Sequence, residues 1–279
     1  MASEYANEKL YRYMDFTKFC DFIFKRKLYF SRADQQNDDL EGQIAKVDQL
    51  QRKYIHREEE NGNRILTKEE FHRLQKKFLI NCWCRNSLES FAMWKIYTAD
   101  TLGVAVETTD DLLMHSFIFQ DKDILSKIDV EDWGPEIFIS NCMKHGNVKY
   151  IDYDIDSVNA HDASWKYRRF FYKRRNFSYE NEYRLLIDGE RLLYFIKGAK
   201  EVKGTELIKK KEFDNIITDD GFVQTGELLS VDINKLVKQI IVCPNAQAWF
   251  VDLVKIVLDK AGFGNIPVIS SELSKEPYL

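Results

Sequence analysis

Phe78-Leu79-Ile80-Asn81-Cys82-Trp83-Cys84 and, further along, Gly103-Val104-Ala105-Val106-Glu107 are the stretches whose reading decides the fold. Both are short, apolar and rich in strand-forming residues, so both are expected as central strands. Between them Phe91, Trp94, Ile96 and Tyr97 suit a helix. Upstream, Lys9 to Tyr13 reads as a short strand. Asp15 can then cap a helix whose Phe16, Phe19, Cys20, Ile23 and Phe24 recur at three- and four-residue intervals, and Leu28-Tyr29-Phe30-Ser31 is a second strand.

Residues 43–60 and 67–77 are charged and helical in pattern. Thr67 and Glu70 stand in capping-box spacing, and the pair is expected as an inserted, solvent-facing arm. Downstream, 110–146 carries helical stretches and a Trp133-Gly134-Pro135 break, and Val148 to Tyr153 suits a strand. The basic segment 165–177 is expected to be helical, Glu182 to Ile187 a strand, and Lys238 to Val242 a strand followed by a helix over 246–261. Strands and helices interleave too irregularly for a doubly wound sheet. The expectation is an α+β fold: one domain over 1–279 with a central mixed or antiparallel sheet, flanking helices and a helical insertion at about 43–77.

Composition agrees with one globular domain. Of 279 residues, 44% are hydrophobic, enough for a sizeable core, and 12 Gly with 4 Pro leave no linker-like stretch to divide it. The 41 Lys+Arg against 45 Asp+Glu give a net charge of −4, so any contact with nucleic acid has to be local. The start has no basic-then-apolar leader pattern and no apolar run is long enough to span a bilayer; a cytoplasmic protein without membrane contact is expected. Five scattered cysteines, Cys20, Cys82, Cys84, Cys142 and Cys243, read as reduced core thiols rather than zinc ligands.

Four constellations can carry chemistry. In Tyr179-Glu180-Asn181-Glu182-Tyr183-Arg184, a strand would put Glu180 and Glu182 on one face, where one carboxylate can stabilise a developing cation and the other take a proton; the competing reading is a solvated edge strand. Arg12, between two tyrosines in an apolar strand, needs an acid or an anionic ligand such as phosphate, and Ser31 closes the next strand. The acids of Asn37-Asp38-Asp39-Leu40-Glu41-Gly42 lack calcium-loop spacing, and a turn with a helix cap accounts for them. In the run from Trp165 to Phe177, Lys166, Arg168, Arg169, Lys173, Arg174 and Arg175 alternate with rings, which suits phosphates and stacked bases or else an amphipathic helix packing its rings. P-loop, nucleophile-elbow and zincin motifs are missing, and no metal is predicted.

Taken in order, Leu10-Tyr11-Arg12-Tyr13, Leu28-Tyr29-Phe30-Ser31, Asn37-Asp38-x-x-Glu41, Met93-Trp94-x-x-Tyr97 with Gly103-Val-Ala-Val, and Lys173 before Tyr179-Glu-x-Glu-Tyr-Arg184 resemble a large bacterial family built on a domain of unknown function and often found in phage-defence contexts. The likeness spans roughly 10–188, with Asp39 where that family tends to have proline. A more distant resemblance is to the Arg–Ser–Glu mono-ADP-ribosyltransferases, although Ser31 is followed by Arg32-Ala33 rather than Thr-Ser. This second resemblance implies NAD+ as substrate. Arg12 would bind its phosphate or ribose with Tyr11 and Tyr29 beside it, Ser31 would steady the catalytic carboxylate, Glu182 would stabilise an oxocarbenium-like transition state, and Glu180 would activate a protein or nucleic-acid acceptor. An antiviral effector or toxin follows as the expected role. Two alternatives stay open: a metal-dependent nuclease using Asp38, Asp39, Glu41 and the Glu180/Glu182 pair, and a nucleotide- or nucleic-acid-sensing module without turnover.

Overall fold

The computed structural model describes residues 9–49, 67–98, 102–118, 141–158, 165–193 and 217–274. Its core is a nine-stranded mixed sheet. β1 (Lys9–Asp15), β2 (Lys27–Arg32), β3 (Phe78–Asn86), β4 (Gly103–Thr108), β11 (Gly226–Ser230), β12 (Gln239–Val242) and β13 (Val268–Ser270) run in the order β11-β2-β3-β1-β4-β12-β13. β8 (Glu182–Asp188) lies on β3, and β5 (Met143–Asn147) lies on β8. Every pairing is antiparallel except β12 with β13. The expected α+β class with a central sheet is what forms, and both stretches read as central strands are interior to the sheet.

The register on β3 decides where a site can be. β8 pairs with β3 along one edge from Phe78↔Asp188 to Cys84↔Glu182. The other edge is shared: β2 takes its start at Leu79 and Ile80, and β1 takes its end at Cys84 to Asn86. Among the described residues Asn81, Cys82 and Trp83 have no strand partner on that edge, so the wing carrying β2 and β11 splays from the wing carrying β1, β4, β12 and β13. The gap is partly tied by side chains: Asn81 Nδ2 donates to the carbonyl of Tyr29 at 2.9 Å and Trp83 Nε1 donates to Asn81 Oδ1 at 2.8 Å.

The helices follow local rules. Asp15 caps α1 (Phe16–Lys25) by accepting from Lys18 N at 2.8 Å, and α1 buries Phe19, Phe22 and Ile23 against the sheet; Phe24, expected on that face, is exposed. α2 (Lys68–Gln75) begins in the capping box of Thr67 and Glu70. It is not a free arm: Phe71 and Gln75 are buried, and Gln75 Nε2 donates to the carbonyl of Glu41. Ala45 and Asp48 are buried too, while 50–66, the middle of the expected insertion, lies outside the described residues, as does the Trp133 to Pro135 break. α3 (Phe91–Thr98) packs on β1, α4 (Asp110–His115) follows β4, and α7 (Ala248–Lys260) follows β12.

The basic segment is not one helix. It breaks into α5 (Trp165–Arg168), a 3-10 turn at Arg169–Phe171, β7 (Tyr172–Arg174) paired with β6 (Lys149–Ile151), and a second 3-10 turn at Arg175–Glu180. Nor does the strand include Glu180. Asn181 adopts a left-handed conformation at φ 40 and ψ 57, ending the turn and starting β8 at Glu182. Among the described residues no helix is long and apolar enough to cross a membrane.

Candidate functional site

The gap in the sheet is a cavity of about 470 Å³, a size typical of small-molecule sites. Residues paired across strands share a face, so Ser31 with Ile80, and Tyr11 with Cys84 and Glu182, place Ser31, Tyr11, Cys82 and Glu182 on one side of the sheet. Arg12 alternates with Tyr11 and starts from the other side together with Trp83. The cavity is lined from both sides, and Arg12, Tyr11, Tyr29, Ser31, Lys173, Glu180 and Glu182 all border it.

Arg12 is one of the cations bordering the cavity, with Lys18 and Lys27 also in its lining. It is the first residue of β1 past the pairing with β3, and its guanidinium lies 5.7 Å from the centroid of the Trp83 ring, within cation–π reach. Its Nη1 is buried and has no hydrogen-bond partner among the described residues. Burial lowers the Arg12 pKa, with no carboxylate among the groups that offset it. A buried donor without an acceptor is costly, and an anionic ligand is the group that would relieve it.

A chain of largely buried charges reaches the same cavity through Lys173, Glu180 and Glu182. Arg184, fully buried, donates through Nε to Glu182 Oε1 at 2.6 Å, and through its terminal nitrogens to Glu41 and to the carbonyl of Phe170. Lys173 Nζ lies 3.3 Å from Glu182 Oε2 and 2.5 Å from Glu180 Oε2. Three carboxylates against two cations leave this cluster one surplus negative charge when all are ionised, while Lys18, Asp21 and Lys27 add further charges to the cavity lining. Burial would raise the Glu182 carboxyl, yet Arg184 and Lys173 outweigh it and hold it at about 2. Burial dominates at Glu180, whose carboxyl is raised despite Lys173, and it pushes Glu41 up to about 6 against the pull of Arg184. Neighbouring carboxylates with pKa values driven apart are the pattern of paired acid and base groups.

Several expectations change. Ser31 does not steady Glu182: its hydroxyl donates to the carbonyl of Ile80 at 3.4 Å and accepts from Gln36 Nε2 at 2.6 Å. Lys173, expected to grip phosphate, binds the two carboxylates instead. The other described cations of the basic segment are not gathered on one surface: Arg169 is buried, donating to the carbonyl of Gly42 and lying 5.8 Å from the Phe71 centroid, Arg174 pairs with Asp38 at 2.7 Å, and Arg175 pairs with Asp156 at 2.8 Å. Arg168 is exposed and Lys166's side chain lies outside the described residues. Of the turn carboxylates expected to hold a nuclease metal, Asp38 is engaged by Arg174 and Glu41 by Arg184, while Asp39 is exposed. Arg184 and Cys82 were missed. Arg184 reads as an ordinary strand residue until Glu41 arrives from a distant turn, and the Cys82 thiol, hydrogen-bonded to Glu182, reads only as core.

No known protein family, curated protein or solved structure matches the chain.

Proposed function

We propose that the split in the sheet binds NAD+ and that the protein transfers its ADP-ribose unit to a protein or nucleic-acid acceptor, in the antiviral setting implied by the block pattern. The observation that carries this reading is one cavity bordered both by Arg12, whose buried Nη1 has no hydrogen-bond partner among the described residues, and by the carboxylate pair Glu180 and Glu182. NAD+ has the matching polarity, an anionic diphosphate and a cationic nicotinamide ribose. Arg12 takes the diphosphate, with Tyr11 and Tyr29 as walls. Glu182, ionised throughout the physiological range, faces the ribose carbon as positive charge develops there. The bond from that carbon to the pyridinium nitrogen breaks, its electron pair leaves with neutral nicotinamide, and the acceptor's oxygen or nitrogen bonds to the carbon. Glu180, whose raised pKa suits a proton acceptor, takes the acceptor's proton.

That Glu182 is already held by two cations favours a second reading, nucleotide binding without turnover. One assay separates them. Purified protein is incubated with NAD+ and cell lysate, and nicotinamide release and labelled ADP-ribose transfer are followed, with Glu182→Gln as control. The transfer reading expects release and labelling that fall at least a hundredfold in the variant. Binding with no release supports the sensing module, and release unchanged in the variant overturns the role of Glu182.

A further inference from the structure

Arg184 has little freedom, because its guanidinium is spent on Glu41, Glu182 and the carbonyl of Phe170 within the interior. Lys173 is placed differently. It is buried on the three-residue strand β7, its ammonium 4.8 Å from the Phe177 centroid, and it bridges two carboxylates that reach it from different elements. Glu182 opens β8 and already has Arg184, so it does not need a second cation for neutralisation. Glu180 is more exposed than Glu182 and hangs from the 3-10 turn before Asn181, with Lys173 as its ion-pair partner at the shorter of the two distances. Asn181 fixes the far end of that turn by donating through Nδ2 to the carbonyl of Arg85 and accepting from Arg85 N at 2.7 Å.

We infer that Lys173 is a positioning residue that clamps Glu180 to the fixed chain of Glu182, Arg184 and Glu41, so that the two carboxylates of the cavity act as one unit. The clamp stands on geometry; its catalytic consequence rests on the ADP-ribosyl-transfer reading. In the transfer step the acceptor's proton passes to Glu180, while Lys173 remains an ammonium and keeps its hydrogen bond to Glu182. No charge is created or lost in the cluster beyond that proton.

The sign of the pH dependence follows from what faces Glu180. From β7 and β8 come Lys173, Glu182 and Arg184, with Lys173 and Arg184 favouring the carboxylate while Glu182 and burial oppose it. Tyr97 of α3, Cys84 of β3 and Tyr150 of β6 also sense Glu180, as neutral groups at physiological pH. Glu180 has to be ionised to take a proton, so removing the Lys173 charge moves the acid limb of activity to higher pH.

The test uses Lys173→Met and Lys173→Arg in the full chain. Carboxyl-13C glutamate NMR titration, with Glu180→Gln for assignment, reads the clamp without turnover. Nicotinamide release against pH reads its consequence. In Lys173→Met, Glu180 is expected to titrate about one pH unit higher than in wild type, and release on the acid limb to fall about tenfold relative to the alkaline plateau. Lys173→Arg keeps the charge and is expected to stay near wild type in the titration. Should the Met variant lose its native circular dichroism, Lys173→Gln carries the same comparison. A Glu180 titration unmoved by loss of the charge, or an Arg variant that titrates like the Met variant, overturns the clamp. If wild type cleaves no NAD+, the transfer reading fails and the carboxyl titration alone decides the clamp.

Discussion

Arg184 is fully buried and Arg12 is half-buried with its Nη1 withdrawn from water, and the difference between them marks the site. Arg184 is satisfied at every end by Glu41, Glu182 and Phe170, so it belongs to the fold. Removing it leaves Glu41 buried without its cation and Glu182 with Lys173 alone, and Arg184→Met is expected to cost about 3–5 kcal/mol in urea unfolding. Arg12 has a buried Nη1 and, among the described residues, no acid to meet it. Burying that nitrogen without an acceptor is a cost to the fold, so Arg12→Met is expected to unfold within about 1 kcal/mol of wild type or above it. Equal large losses in both variants would mean that Arg12 is a structural cation with an acid partner.

At the scale of elements, the site exists because β1 and β2 share one edge of β3 without meeting. That much was half legible. The apolar runs at Phe78 and Gly103 announce central strands, and Asp15 and Thr67 announce the helix starts that form. The split was not legible, since it depends on register, and register is set by pairings between strands far apart in the chain. The basic segment misled for a related reason. Alternating rings and cations fit a helical pattern, but Asp38, Asp156 and Glu180 each capture one cation, and no local period contains them. The turn that delivers Glu180 depends on Asn181, which tolerates its left-handed backbone and binds Arg85 through its side chain. Asn181→Gly should keep the conformation and lose only the side-chain bond, whereas Asn181→Ala is expected to lose a further 1 kcal/mol or so from backbone strain. Thermal unfolding of the pair checks this, and equal stability would contradict it.

For the molecule as a whole, the charge chain ties stability to pH. Glu182 sits at about 2 in the fold, below an unfolded glutamate. Its contribution is therefore complete above about pH 4.3 and is lost as pH falls toward 2. Glu41, raised to about 6, works the other way: it costs stability as pH rises from the unfolded value through 6. The stability gap between wild type and Glu182→Gln, of order 3 kcal/mol at neutral pH from the size of the depression, is expected to close on acidification toward pH 2. A gap independent of pH would mean that Glu182 is not held ionised by Arg184 and Lys173. Within this frame the sequence named Arg12, Ser31, Glu180 and Glu182, and the fold gathers all four at one cavity. It could not show that Lys173 and not Ser31 meets the carboxylates, because Lys173 meets them from a short strand, β7, in a segment whose local pattern reads as helical.

The central claim is that the split in the sheet is a dinucleotide site whose anion receptor is Arg12. Isothermal titration of NAD+ into wild type and Arg12→Met tests it most directly. The account expects one site per chain in wild type and at least tenfold weaker binding in the variant with its fold intact; equal affinity in both proteins, or no binding to wild type, would contradict it.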